Sequence, residues 1–123
     1  MLDGKINNDE ILYRAIKTFP NWRDSENNRP ASAAFKDSRG VSVDRQGTRD
    51  EPEVIKDFKK FELKAVVSIT AKECRNFGTH PIYKPELGNE YHSEIHGSPT
   101  EIQLTASQAK KLSRNVKIVF TAG

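Results

Sequence analysis

Ile11-Leu12-Tyr13-Arg14-Ala15-Ile16 can be read in two ways, and the fold turns on which one holds. As a helix, the segment starts acceptably at Asn8-Asp9-Glu10, carries Ile11, Leu12, Ala15, Ile16 and Phe19 at near-helical spacing, and stops at Pro20. As a strand, its side chains alternate, so Leu12, Arg14 and Ile16 share a face. Period alone does not separate the two in so short an apolar run. Arg14 carries the difference. On a helix it points away from the apolar stripe into water, whereas on a strand it lies among apolar neighbours and requires a buried anionic partner or a ligand.

Working outward, residues 20–30 form a polar, proline-bounded loop, and its lone Trp22 is expected to pin the loop to the core. Residues 31–36 and 41–45 flank Asp37-Ser38-Arg39-Gly40, whose first and last residues suit a tight turn, so a hairpin is expected with Val41 and Val43 inward and Ser42 and Asp44 on the other face. After a polar loop, Pro52 and Glu53 open a helix over residues 53–61, with Val54, Ile55, Phe58 and Phe61 as its stripe. Residues 63–70 are the most apolar window and rich in β-branched side chains, hence a central strand. A helical turn over 71–76 packs Cys74 as a small apolar residue, and residues 78–89, with two prolines and two glycines, read as an exposed connection.

The stretch Glu90-Tyr91-His92-Ser93-Glu94-Ile95-His96-Gly97 reads as a strand with His92, Glu94 and His96 on one face. Residues 100–104 alternate as another strand. Thr105-Ala106-Ser107-Gln108 has the form of a capping box and starts a helix to about residue 114, with Ala106, Ala109 and Leu112 inward. The last strand, residues 116–120, lines one side with Val116, Ile118 and Phe120. Together these elements predict an α+β fold, a single domain over residues 1–123 with a mainly antiparallel sheet of about five strands and two or three short helices on one side.

Composition narrows the function classes. With 35% apolar and 30% charged residues the chain supports a thin core and long polar loops. The net charge of +3 comes from 20 basic and 17 acidic residues interspersed throughout, which excludes a polybasic tail; the arginines Arg14, Arg23, Arg29, Arg39, Arg45 and Arg49 all fall in the first half. One cysteine excludes an intrachain disulfide and a multi-cysteine zinc site. No signal peptide and no bilayer-length apolar run are visible, so a cytoplasmic location without a membrane partner is expected.

Tyr13-Arg14, Ser32-Ala33-Ala34-Phe35, Ser42-Val43-Asp44 and His92-Ser93-Glu94-Ile95 together resemble a family of small bacterial proteins, mostly uncharacterised, that carries Tyr-Arg, Ser-Ala-Ala-Phe, Ser-Val-Asp and His-x-Glu-Ile. The resemblance implies no particular activity. It groups Arg14, Asp44, His92 and Glu94 as one constellation and leaves His96 outside.

Three chemistries fit these residues. Metal binding by His92, Glu94 and His96 is disfavoured, because alternate strand residues lie roughly 6.5–7 Å apart and splay around one ion, and the helical His-Glu-x-x-His signature is not matched. No metal and no cofactor are therefore expected. Acid–base work on a nucleotide or RNA phosphate needs a histidine, a carboxylate to orient it and an arginine clamp. His92, Glu94 and Asp44 are the catalytic candidates, and Arg14, Arg45, Ser32 and Ser42 the ligand-binding ones. The order Arg14, Ser32, Glu94 also resembles the Arg-Ser-Glu order of small ADP-ribosyltransferases. Against all three stands a non-catalytic partner-binding or assembly subunit, in which the His92/Glu94/His96 face is the solvated side of an edge strand and Arg14–Asp44 a structural ion pair. No zinc finger, aromatic-rich RNA-binding strand or glycine-rich phosphate loop is present, so contact with nucleic acid would be nonspecific and salt-sensitive.

Overall fold

Residues 11–16 are a strand, paired along their whole length with residues 65–70, from Ile11 opposite Thr70 to Ile16 opposite Ala65. The computed structural model describes residues 2–17, 23–24 and 29–122, so the expectations for Phe19 and Trp22 lie outside the described residues. In chain order the elements are β1 (Ile11–Ile16), β2 (Arg23–Asp24), β3 (Arg29–Pro30), a 3-10 helix (Ser32–Phe35), β4 (Val41–Arg45), α1 (Glu51–Phe58), β5 (Ala65–Thr70), α2 (Ala71–Asn76), β6 (His80–Tyr83), β7 (His92–His96), α3 (Ala106–Asn115) and β8 (Lys117–Thr121). Among the described residues six strands form one antiparallel sheet in the order β6-β7-β4-β1-β5-β8, and β2 pairs with β3 in a small separate ribbon within what reads as a plain loop. The fold is α+β.

Strand alternation divides the core in two. Leu12, Ile16, Val41, Val43, Val67, Ile69 and Ile95 share a cluster with Ala34 and Phe35 of the 3-10 helix, Cys74 of α2, and Ala109 and Leu112 of α3. On the opposite face Tyr13 and Val66 pack with Val54, Phe58 and Leu63, so α1 lies on the other side of the sheet from α2 and α3. No residue of β4, β6 or β7 joins this second cluster. That half of the sheet carries Ser42, Asp44, His92, Glu94 and His96 on the face to which Tyr13 belongs.

Among the described residues all three α-helices begin with a capping box: Asp50 with Glu53, Thr70 with Glu73, and Thr105 with Gln108. Each satisfies two backbone donors that would otherwise be orphaned, and losing such a cap costs about 1 kcal/mol.

Several sequence expectations are corrected. Residues 31–36 are not a strand; Ala34 donates to the Ala31 carbonyl and Lys36 to that of Ala33, giving 3-10 turns. A strand would send Ala34 and Phe35 to opposite faces, whereas both pack into the same core cluster. The tight turn itself is present, with Gly40 N donating to Asp37 O at 3.2 Å and Gly40 at φ +93°. α1 ends at Phe58, and Phe61 stands outside it, 65% exposed. The supposed connection 78–89 contains β6, an outer strand able to accommodate Pro81. Residues 100–104 are not a strand, because Ser98 Oγ accepts from Thr100 and Glu101 and Gly97 N donates to Ile102 O, folding the chain back. Ala106 is exposed on α3, and Ser113 is buried instead. In β8 the register slips by one residue at Val119, which sends Phe120 to the second cluster and Ile118 to the first.

Candidate functional site

The strand conformation forces the question of Arg14, which lies between the buried Leu12 and Ile16 with its side chain only 13% exposed. Its guanidinium is met by backbone. Nε and Nη2 donate to the Ala34 carbonyl at 3.0 and 2.8 Å, Nη1 to the Ser42 carbonyl at 2.8 Å, and Nη2 also to Asp37 Oδ2 at 2.8 Å. The expected Arg14–Asp44 pair is replaced by Arg14–Asp37. β1 and β4 are paired only at Leu12–Arg45 and Tyr13–Asp44 before they part, and Arg14 ties the two strands together beyond that point.

A cleft of about 930 Å³ opens where these strands part. Ser42, Asp44 and His92 contribute from the sheet, Asp57, Phe58, Lys60 and Phe61 from the end of α1 and the turn after it, and residues 86–91 from the β6–β7 connection. Arg14, Lys17, Asp37 and Arg49 also line it. Of the constellation expected from sequence, Arg14, Asp44 and His92 line this cleft, as does Ser42, and Glu94 does not.

Asp44 and His92 stand directly opposite each other across β4 and β7, so their side chains are neighbours on one face. Asp44 is 8% exposed, and Asn89 Nδ2 donates to its Oδ1 at 3.0 Å. Burial raises the Asp44 carboxyl above the ordinary range; the Asn89 hydrogen bond and the charges of Arg49 and His92 oppose this without cancelling it. His92 Nδ1 lies 2.8 Å from the Lys84 carbonyl, which can only accept, so Nδ1 carries a proton and Nε2 is the acceptor of the neutral ring. The Glu86 carboxylate is 3.6 Å from the same nitrogen.

Arg49 and Tyr91, which sequence reasoning did not single out, belong to this site. Arg49 is buried, with its guanidinium 3.6 Å from the centroid of the Tyr91 ring, paired with Asp57 at 2.8 Å and bonded to the carbonyls of Arg45 and Gln46. A Cβ on Gly47, at φ +61°, would lie 2.8 Å from Tyr91, so the glycine is what lets the ring approach.

Glu94, Ser32 and Arg45 do not line the cleft. Glu94 binds His96 instead, with 2.7 Å between Oε1 and Nε2, and Lys84 Nζ is 3.6 Å away. Burial pushes the Glu94 carboxyl up, but the His96 hydrogen bond and the charges of Lys84, His96 and His92 outweigh it, and the net shift is downward. His96 is thus a partner of Glu94. β7 is not an edge strand, since β6 lies outside it, and the His92, Glu94 and His96 side chains are only 11–14% exposed. Arg45 points to the other face, where Glu10 grips it at 3.0 and 2.7 Å, Asp3 and Lys5 supply carbonyls, and its guanidinium lies 4.7 Å from the Tyr83 ring centroid. It pins the N-terminal segment to the sheet. Arg14, Ser32 and Glu94 therefore do not meet in one cleft.

Among the described residues no group of three or more His, Cys, Asp or Glu side chains is arranged to hold a metal ion, and no helix is long and apolar enough to cross a membrane. No family model, curated protein or solved structure matches this chain.

Proposed function

We propose that the chain is a cytoplasmic protein that binds a phosphate-bearing ligand, a nucleotide or an RNA phosphate, in the cleft beside β1 and β4, with His92 as the proton-transferring group. The observation that supports this most is the Asp44–His92 pair lining that cleft. The Lys84 carbonyl holds the Nδ1 proton, which fixes the tautomer and leaves Nε2 for a ligand proton. The Lys84 carbonyl thus orients the ring in place of Glu94, and the charge of Asp44 on the same face would stabilise the imidazolium. Arg14 and Arg49 are held by backbone carbonyls and line the cleft, and although each is paired with a carboxylate, Asp37 or Asp57, each would give an anion a fixed guanidinium to share.

The test is an NMR titration of the imidazole resonances with ribose 5-phosphate. A saturable shift at His92, with His80 and His96 unmoved, is expected. No shift at His92 with millimolar ligand would overturn the proposal. The second reading, a non-catalytic partner-binding subunit, draws on the exposed Phe61, Leu87 and Ile102; a chain that captures no partner in a pull-down counts against it.

A further inference from the structure

We infer that the ligand of this cleft carries a planar ring beside its phosphate, as a nucleoside monophosphate does, and that Phe61 and Leu87 are the surfaces on which the ring rests. The inference rests on the anion-handling reading above. Among the described residues the exposed large apolar side chains are Phe61, Leu87 and Ile102, and two of these three line the same cleft. They come from unrelated parts of the chain, Phe61 from the turn after α1 and Leu87 from the β6–β7 connection.

Neither side chain is required by the fold. Phe61 closes its turn through its backbone, donating to the Phe58 carbonyl at 3.0 Å, which any residue with an amide can do. Leu87 occupies the corner of a tight turn in which Glu86 and Asn89 exchange backbone hydrogen bonds at 3.0 and 2.9 Å and Gly88 takes φ +85°. Such corners favour polar residues, and a wholly exposed leucine there gains nothing from folding. A bare phosphate or sugar phosphate has no use for either, whereas the face of a nucleobase does. Asn89 gives one Nδ2 hydrogen to Asp44 and accepts from the Tyr91 amide at Oδ1, so one amide hydrogen is left for the edge of a ring.

The experiment compares the affinity of AMP with that of ribose 5-phosphate by calorimetry. AMP is expected to bind about tenfold more tightly, in line with the usual contribution of base stacking. Phe61→Ala and Leu87→Ala, both at exposed positions that leave the core intact, are expected to narrow that gap. Equal affinities, or a gap that neither substitution narrows, overturn the inference while the anion site stands; no binding of either compound removes the anion site as well. A short oligoadenylate that displaces AMP identifies a strand end as the source, and one that does not identifies the free nucleotide. Both outcomes support the ring.

Discussion

Replacing Arg14 by methionine keeps most of the side-chain stem and removes the guanidinium, which isolates the function of its hydrogen bonds. Four contacts are lost: two to the Ala34 carbonyl, one to the Ser42 carbonyl and one to Asp37. Hydrogen bonds to a charged group contribute about 1.5–3 kcal/mol each when the partner cannot reach water, but these do not add in full, because Ser42 is exposed and the Asp37 side chain is 50% exposed. The Ala34 carbonyl, on a buried residue, is the group left wanting. A net loss of about 3 kcal/mol is expected. At a urea slope of about 2 kcal/mol/M the unfolding midpoint falls by roughly 1.5 M with the slope unchanged. Asp37→Asn should cost less than about 1 kcal/mol, since an exposed ion pair is weak and both carbonyls keep their donors. Arg14→Lys should fall between, because a point charge does not bridge two carbonyls. A loss under about 1 kcal/mol for Arg14→Met, or equal losses for Arg14→Met and Asp37→Asn, would refute the view that Arg14 acts by tying the 3-10 helix and β4 to β1.

Three further outcomes are expected. The Asp44 carboxyl is raised by burial, so its ionisation opposes folding: its favourable contribution is complete below the ordinary value of 3.8 and is lost as pH rises through the raised folded value. Asp44→Asn therefore raises Tm at pH 7, and the gain disappears in acid; a Tm difference independent of pH would contradict this. Gly40→Ala places a Cβ 3.0 Å from His96 Cδ2 and 3.2 Å from Glu94 Oε1 at φ +93°, and should destabilise the chain by about 1–2 kcal/mol in a denaturant titration. Burial pushes the Cys74 thiol up to about 12, so Ellman's reagent should leave the native protein unlabelled at pH 8 and label it in step with urea unfolding.

Where local chemistry and burial agree, the fold was legible. The window around β5, the Thr105 capping box and the Val41/Val43 alternation each follow from one short stretch, and each matches the structure. Thr70 and Asp50 make the same box as Thr105, but Thr70 also ends a strand and Asp50 sits in a charge-rich run, which hid them. β6 was hidden by its proline. The β8 register slip could not be read, because alternation presumes that the partner strand keeps step. At the site, Arg14 was legible as a conditional: a strand required it to find a partner. Which partner depended on where the 3-10 helix landed. Asp44 with His92 was visible only as two members of a motif set, since their pairing is a matter of register between strands distant in sequence, and Glu94, named beside them, turns to His96 instead.

The two outermost strands bear on how this protein behaves in a crowded solution. Lys84 N donates inward to His92 O, so by alternation the nitrogen of Pro81 faces away from β7, on the rim where another chain would dock and where proline has no hydrogen to offer. At the opposite rim the extra residue in β8 breaks the regular spacing that an incoming strand must match. Each border thus carries a defect that discourages a seventh strand. Restoring a donor with Pro81→Val would make that border a better template for fibril growth, a liability that the sequence avoids with one ring at one end and one surplus residue at the other.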